Sequence, residues 1–314
     1  IQAMISFSPS AYTRPAISLV ASPTKRQAIL DLAVEAERRG FAGIACPSLG
    51  GTLGLCVSLA HATSTIPFWT SIQPMYYSHP VELGNTAAHI HEVSGGRFGL
   101  GIGVSHGPVV QRLGVATGKP LSDIANYVQA MRLNERFSGQ LPQIFLATLR
   151  DKMLALSTQI SQGAIWANAS LRDISRQVAS IEHPTRDQFF MSNMVPTVIS
   201  DDLDAAYAIH RRTLTGYVSL PNYRNYWRVA GYDKEMDNIE SIIADTPKES
   251  LAEQLQQAMT DEWLRDCTIS GNAAQVREQF SAWAQAGVLP IAVMSSTSGG
   301  QAKAVAELFA AFES

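Results

Sequence analysis

A chain of 314 residues that is 46% hydrophobic and 16% charged, with a formal net charge of -3, carries enough apolar residues to bury a sizeable core and too little charge for a disordered one. Its weakly acidic balance, without any long Lys/Arg run, excludes the electrostatic footprint of nucleic-acid binding, and no window reaches 18 uninterrupted apolar residues, so no membrane span is expected. Cys46, Cys56 and Cys267 are too few and too scattered for a disulfide framework, and residues 1–14 lack a charged region followed by an apolar one; together these predict a reducing, cytoplasmic location.

The first apolar run, 16–21, precedes helical spacing over 24–39 that Gly40 ends, and a second run at 43–46 completes a βαβ unit. A helix over 53–63 and a strand over 66–72 follow. Next comes a helix entered through Pro80, whose fixed φ suits a first turn, and ended at Ser94-Gly95-Gly96, where glycine takes the left-handed cap conformation. A strand over 97–104, a loop and a helix over about 121–137 come after it. Further strands are expected at 143–148, 163–168, 189–198 and 289–295, each with a helical segment behind it, the last over 301–312.

Eight strand runs with a helix after each predict an α/β fold, a (β/α)8 TIM barrel, as one domain over 1–314. An open doubly wound sheet is the alternative, weakened because no G-x-G-x-x-G fingerprint follows the first strand. The spacing breaks between the seventh and eighth strands, where an insertion over about 217–268 holds Tyr223, Tyr226, Trp227, Tyr232 and Trp263 and takes helical spacing from about 233. It reads as a lid, as a dimer contact, or as extra helices on the barrel exterior.

In such a barrel the active site lies at the C-terminal ends of the strands, which directs attention to Ala21, Pro47, Ser48, residues 71–74, 101–106, 148–150 and 168–170, Pro196, Thr197, Ser295 and Ser296. That set holds one histidine and no carboxylate, which argues against hydrolase or aldolase chemistry. His89-Ile90-His91 resembles a metal-ligating pair, yet helical residues two apart point about 200° apart, so no metal is expected there. Gly101 and Gly103 allow two readings: a flat ring approaching the backbone at the barrel mouth, or relief of crowding inside the barrel.

The run from Thr70 to Gly103 begins T-S-I-Q-P-M-Y-Y-S-H-P-V-E-L and ends S-G-G-R-F-G-L-G-I-G. It resembles the bacterial luciferase-like monooxygenase superfamily, whose members are flavin- or deazaflavin-dependent oxidoreductases. The likeness extends to P-Q-I-F-L-A-T-L-R-D-K-M-L-A-L at 142–156 and A-A-Q-V-R-E-Q-F-S-A-W-A-Q-A-G-V at 273–288. The resemblance implies a decorated barrel with a non-prolyl cis peptide at the end of the third strand, matched here by Ser71-Ile72, against the centre of the isoalloxazine or deazaflavin ring. It also implies phosphate contacts on the loop at Leu149 and Arg150, with Arg150 standing where many relatives have glycine, and further cofactor contacts at Thr148, Gly101, Gly103, Val104 and Ser105.

Val104 stands where bacterial luciferases carry an arginine that grips the FMN phosphate, whereas G-I-G-V-S-H at 101–106 resembles the branch dependent on coenzyme F420. His106 matches the place of an acidic proton donor in F420-dependent sugar-phosphate dehydrogenases, which implies a general acid or base; the plainer reading is a loop histidine bonded to the backbone. Two departures qualify the likeness. Ser48-Leu49 stands where many F420 relatives carry Asp-His, and Ser170 occupies a place where those dehydrogenases hold a sugar phosphate with lysine, so a sugar-phosphate substrate is not expected. The expected function is F420-dependent hydride transfer to or from a small organic substrate. An FMN-dependent monooxygenase is the first alternative and a non-catalytic ligand- or partner-binding barrel the second, and the resemblance implies a homodimer.

Overall fold

A computed structural model describes residues 13–105, 107–182 and 188–313, so His106 lies outside the described residues. The chain divides into two compact units, one formed by Ile1–Trp166 with Ile181–Ser192 and the other by Ala167–Ser180 with Asn193–Ser314.

The first unit alternates strands and helices: β1 (Ala16–Ser18), α1 (Arg26–Arg38), β2 (Ile44–Cys46), α2 (Thr52–Ala62), β3 (Phe68–Thr70), β4 (Gln73–Pro74) and α3 (Pro80–Val93). It continues through β5 (Phe98–Gly103), α4 (Gly107–Leu113), α5 (Pro120–Ser138), β6 (Gln143–Ala147), α6 (Asp151–Ile160) and β7 (Gly163–Ala167). Neighbouring strands pair in parallel, with Cys46 opposite Thr70, Pro74 opposite Gly103, Ile102 opposite Leu146 and Ala147 opposite Ile165. This succession of parallel strands and helices makes the chain a (β/α)8 barrel, the class the alternation predicts.

The third predicted strand is broken into β3 and β4 by Ser71 and Ile72, and a one-turn 3₁₀ helix, Met75–Tyr77, follows. Helix α4 lies where the sequence suggests a loop: its Gly-Pro start carries no helical pattern. Helix α3 ends as expected, with Gly96 N–H donating to the His91 carbonyl at 2.9 Å and Gly95 and Gly96 both in the left-handed region. His89 is exposed and His91 buried, so the two rings face different surroundings. Burial, opposed by the Phe98 backbone, lowers the His91 pKa.

Arginine 97, at the foot of β5, binds the segment between α2 and β3. Its guanidinium donates to the carbonyls of Ala60, Thr63, Ile66 and Ser94 and to Thr63 Oγ1, at 2.8–3.1 Å. From the other side the Glu37 carboxylate accepts the backbone N–H groups of Ser64, Thr65 and Ile66 at 2.6–3.2 Å. A long-range cation and a long-range anion thus satisfy the backbone polar groups of one connection.

The second unit holds α7 (Leu171–Ala179), most of β8 (Phe190–Ile199), α8 (Leu203–Val218), α9 (Pro221–Val229), α10 (Asp233–Asp245), α11 (Lys248–Ala258), α12 (Asp261–Cys267), β9 (Ile269–Gly271), α13 (Ala273–Gln285), β10 (Leu289–Ser295) and α14 (Gln301–Ala311). The inserted stretch is helical from its start rather than from about 233, because Pro221 opens α9 as an N1 residue. Strand β9, parallel to the end of β8, is too short for any pattern to reveal. Tyr223, Tyr226, Trp227, Tyr232 and Trp263 are all buried, and Trp227 meets Trp263 edge-on at 4.7 Å. They form the interior of the insertion and hold the chain after β7: Tyr226 Oη accepts the Ser170 N–H at 2.9 Å, and Trp227 Nε1 donates to the Asn168 carbonyl at 3.2 Å.

Candidate active site

The C-terminal ends of β2 to β6 bring the first unit's implied site residues together. The peptide bond Ser71-Ile72 is cis, at the position the resemblance implies. It is gripped on both sides: Ser71 N–H donates to the Cys46 carbonyl at 2.7 Å, and Thr70 Oγ1 donates to the Gly101 carbonyl at 2.7 Å. Ser71 is buried and its hydroxyl has no hydrogen-bond partner among the described residues, while Ile72 is half-buried.

At both glycines the protein itself lies close. A β-carbon on Gly101 would collide with the Thr70 carbonyl oxygen and stand 2.8 Å from Ile165 Cδ1. One on Gly103 would stand 2.7 Å from Ala147 Cβ and 3.1 Å from Ile72 Cδ1. Relief of crowding accounts for both positions: the protein itself fills the space a side chain would need. At Gly103, however, the filling atoms include the Ile72 side chain, so the glycine lets β5 approach the residue that follows the cis bond.

Past Gly103 the chain reaches the half-buried Val104 and Ser105, and Ser105 takes the left-handed region at φ 63°. On the neighbouring strand end, Thr148 is buried, donating its N–H to the Ile165 carbonyl at 2.9 Å and its hydroxyl to the Leu146 carbonyl at 3.2 Å. Leu149 is half-buried and Arg150 exposed. Arg150 caps α6 with its carbonyl, which accepts the N–H groups of Met153 and Leu154 at 3.0 and 3.2 Å, leaving the guanidinium in solvent beside a helix N-terminus. Asp151 follows Arg150 as an acidic residue in the first turn of α6.

The second unit's mouth positions are occupied by its own structure. Asn168 takes the left-handed region at φ 56°, Ser170 Oγ donates to Asp266, and Ser296 Oγ donates to Glu307 Oε1 at 2.9 Å. Among the described residues no group of three or more His, Cys, Asp or Glu side chains could hold a metal ion, and no helix is long and apolar enough to cross a membrane.

Sequence reasoning missed one polar pair close to the site. Tyr76, in the turn after β4, donates its hydroxyl to Asp123 Oδ2 in the first turn of α5 at 2.6 Å. The helix start at Pro120 and an acidic residue three positions on mark a capped N-terminus, but no local signal announces the tyrosine 47 residues away.

A family model described as "Luciferase-like monooxygenase" matches residues 6–289. Among curated proteins, a putative coenzyme F420-dependent oxidoreductase of Mycobacterium tuberculosis is 23% identical, over 79% of this chain and 83% of its own length. A 5,10-methylenetetrahydromethanopterin reductase of Archaeoglobus fulgidus is 21% identical, over 79% and 82%. Among solved structures, the coenzyme F420 dependent tetrahydromethanopterin reductase of Methanopyrus kandleri shares the fold, with a TM-score of 0.74 at 16% identity over 98% of each chain.

Proposed function

The chain belongs to the luciferase-like monooxygenase family, and on that premise we propose that it is an oxidoreductase that uses coenzyme F420 to pass a hydride to or from a small organic substrate. The observation that carries this reading is the strand-end edge where the Ser71-Ile72 bond, the Val104-Ser105 turn and the Thr148–Arg150 corner adjoin. No carboxylate stands at 70–74, 101–105 or 147–150, so the edge offers apolar surface, hydroxyls and one cation rather than acid–base machinery. A buried hydroxyl without a partner among the described residues, Ser71 Oγ, and an exposed guanidinium at a helix start, Arg150, fit a flat polar ring and an anionic tail.

When bound, the deazaflavin supplies the hydride chemistry. Ser71 would hydrogen-bond the ring, Ile72 would pack against it, Val104, Ser105, Thr148 and Leu149 would border it, and Arg150 would neutralise a phosphate. His106, next after Ser105, would hold or release the accompanying proton. Two relatives whose names carry F420 support the choice of cofactor, as does the Val104 position. The family's description as monooxygenases supports a second reading, an FMN-dependent monooxygenase at the same edge. Work in the cytoplasm as a homodimer belongs to the same proposal.

Equilibrium binding of the purified protein to F420 and to FMN tests it. F420 binding in the micromolar range or tighter is the expected result; FMN binding at that level with no F420 binding would overturn the F420 assignment in favour of the monooxygenase.

A further inference from the structure

Between β5 and α5 the chain crosses 107–119, a strap that begins two residues beyond Ser105. Val110 is buried, but residues 111–119 are all exposed, Leu113 and Val115 among them, so burial contributes little to holding that part of the strap in place. Its far end is held by hydrogen bonds. The Gly118 N–H donates to Asp123 Oδ2 at 2.7 Å, and the same oxygen accepts the Tyr76 hydroxyl at 2.6 Å. One turn further along α5, Tyr127 Oη donates to the Ser78 carbonyl at 2.8 Å. The 3₁₀ turn after β4 is thereby tied twice to the start of α5.

The Gly118 bond alone is an ordinary helix cap, an acid in the first turn reaching back to a backbone donor. The Tyr76 bond is not. It fastens the strap's end to the turn that begins three residues after Ile72, on the strand segment whose Pro74 lies opposite Gly103. Burial first, and the Asp123 carboxylate second, push the Tyr76 hydroxyl up to about 12, so it keeps its proton and donates.

We propose that Asp123 is a positioning residue of the candidate site: by bonding Tyr76 and Gly118 together it fixes the strap 107–119 against the segment that carries the cis bond, and so sets how fast a bound cofactor leaves. This rests on the oxidoreductase reading above. Two variants separate it from a plain cap. Asp123→Ala removes both bonds, whereas Tyr76→Phe removes only the long-range one and leaves the cap intact.

The test compares both variants with wild type, after unfolding midpoints have established that each is folded. Three measurements follow: hydrogen exchange at the Gly118 amide, the rate at which trypsin cuts after Arg112, and stopped-flow dissociation of F420 and of FMN. Asp123→Ala is expected to speed Gly118 exchange at least tenfold. In both variants Arg112 is expected to be cut several-fold sooner and the cofactor to leave at least fivefold faster. A Tyr76→Phe protein that matches wild type in cutting and in cofactor release while Asp123→Ala does not would reduce Asp123 to a helix cap and overturn the proposal. Unchanged dissociation in both variants would overturn it too. If neither cofactor binds wild type, the oxidoreductase reading has failed and takes the proposed role with it, while exchange and proteolysis still show, separately, whether the tie holds the strap.

Discussion

The carbonyl oxygen of Thr70 stands where a β-carbon on Gly101 would have to be, while the hydroxyl of the same threonine accepts nothing from that glycine and instead donates to its carbonyl at 2.7 Å. Backbone therefore meets backbone across β3 and β5 with no flexible side chain to give way. Gly101→Ala is expected to destabilise the protein by about 3 kcal/mol, the cost of overpacking a rigid interior. Gly103→Ala, whose new methyl would press on side chains, should cost less. Urea unfolding of the two variants checks the order, and equal losses would contradict it.

Ser71→Ala separates a binding role from a folding role. Removing a buried hydroxyl with no partner among the described residues should leave the unfolding midpoint unchanged or slightly raised, because a polar group is no longer buried unpaired. If that hydroxyl bonds the cofactor, the dissociation constant for F420 rises about fivefold, the worth of one net hydrogen bond. Titration of the variant gives the answer, and unaltered affinity would remove Ser71 from the proposed site.

Arg97→Ala leaves the carbonyls of Ala60, Thr63 and Ile66 without their donor and should cost about 3 kcal/mol in denaturant unfolding. Arg97→Lys keeps the charge but lacks the planar fork that reaches several carbonyls at once, and should recover only part of the loss. Full recovery by lysine would show that charge, not geometry, does the holding.

Glu37 gives the protein an acid-sensitive joint. Burial raises its pKa, but the N–H groups of Ile66, Thr65 and Ser64 together outweigh burial and bring it below the usual 4.5. A carboxyl depressed in the folded state contributes stability that is present above its unfolded pKa and lost as pH falls through the folded value. Unfolding midpoints followed below pH 4.5 should fall more steeply for wild type than for Glu37→Gln.

His210 acts in a higher pH window. Buried, with Nε2 2.8 Å from Ser270 Oγ and 3.2 Å from the Ile269 carbonyl, it is held by burial at about 4 against an ordinary 6.5. The neutral ring is the folded form, so its contribution is fully present above 6.5 and is lost as pH falls from there towards 4. The linkage amounts to about 3 kcal/mol. His210→Gln should flatten stability between those limits in pH-dependent denaturation, and an unchanged slope would exclude the ring as its source.

Alternation of apolar runs with helical spacing sufficed for the barrel, because strand and helix periods are local properties of the chain. Strand β9 and helix α4 escaped because three residues, or seven begun by Gly-Pro, hold too little pattern. The cis bond was located by likeness to a family, since nothing in the residues Ser and Ile marks it. Long-range ties were the least legible: Arg97 meets backbone carbonyls, which every residue owns, and Tyr76 meets a carboxylate far along the chain. The aromatic residues of the insertion allow a lid, a dimer contact or extra helices on the barrel exterior, and their burial shows that they pack inside the unit they belong to.

Arg97 belongs to S-G-G-R-F, the most recognisable stretch of the chain, yet it stands at the foot of β5 while the cis bond and Arg150 lie at the strand tops. A search keyed on that stretch therefore collects barrels by their foundations. A substitution at the strand tops leaves the bonds of this arginine to its carbonyls untouched. What holds the strands at their foot and what a ligand would meet at their tops are thus separate sets of residues.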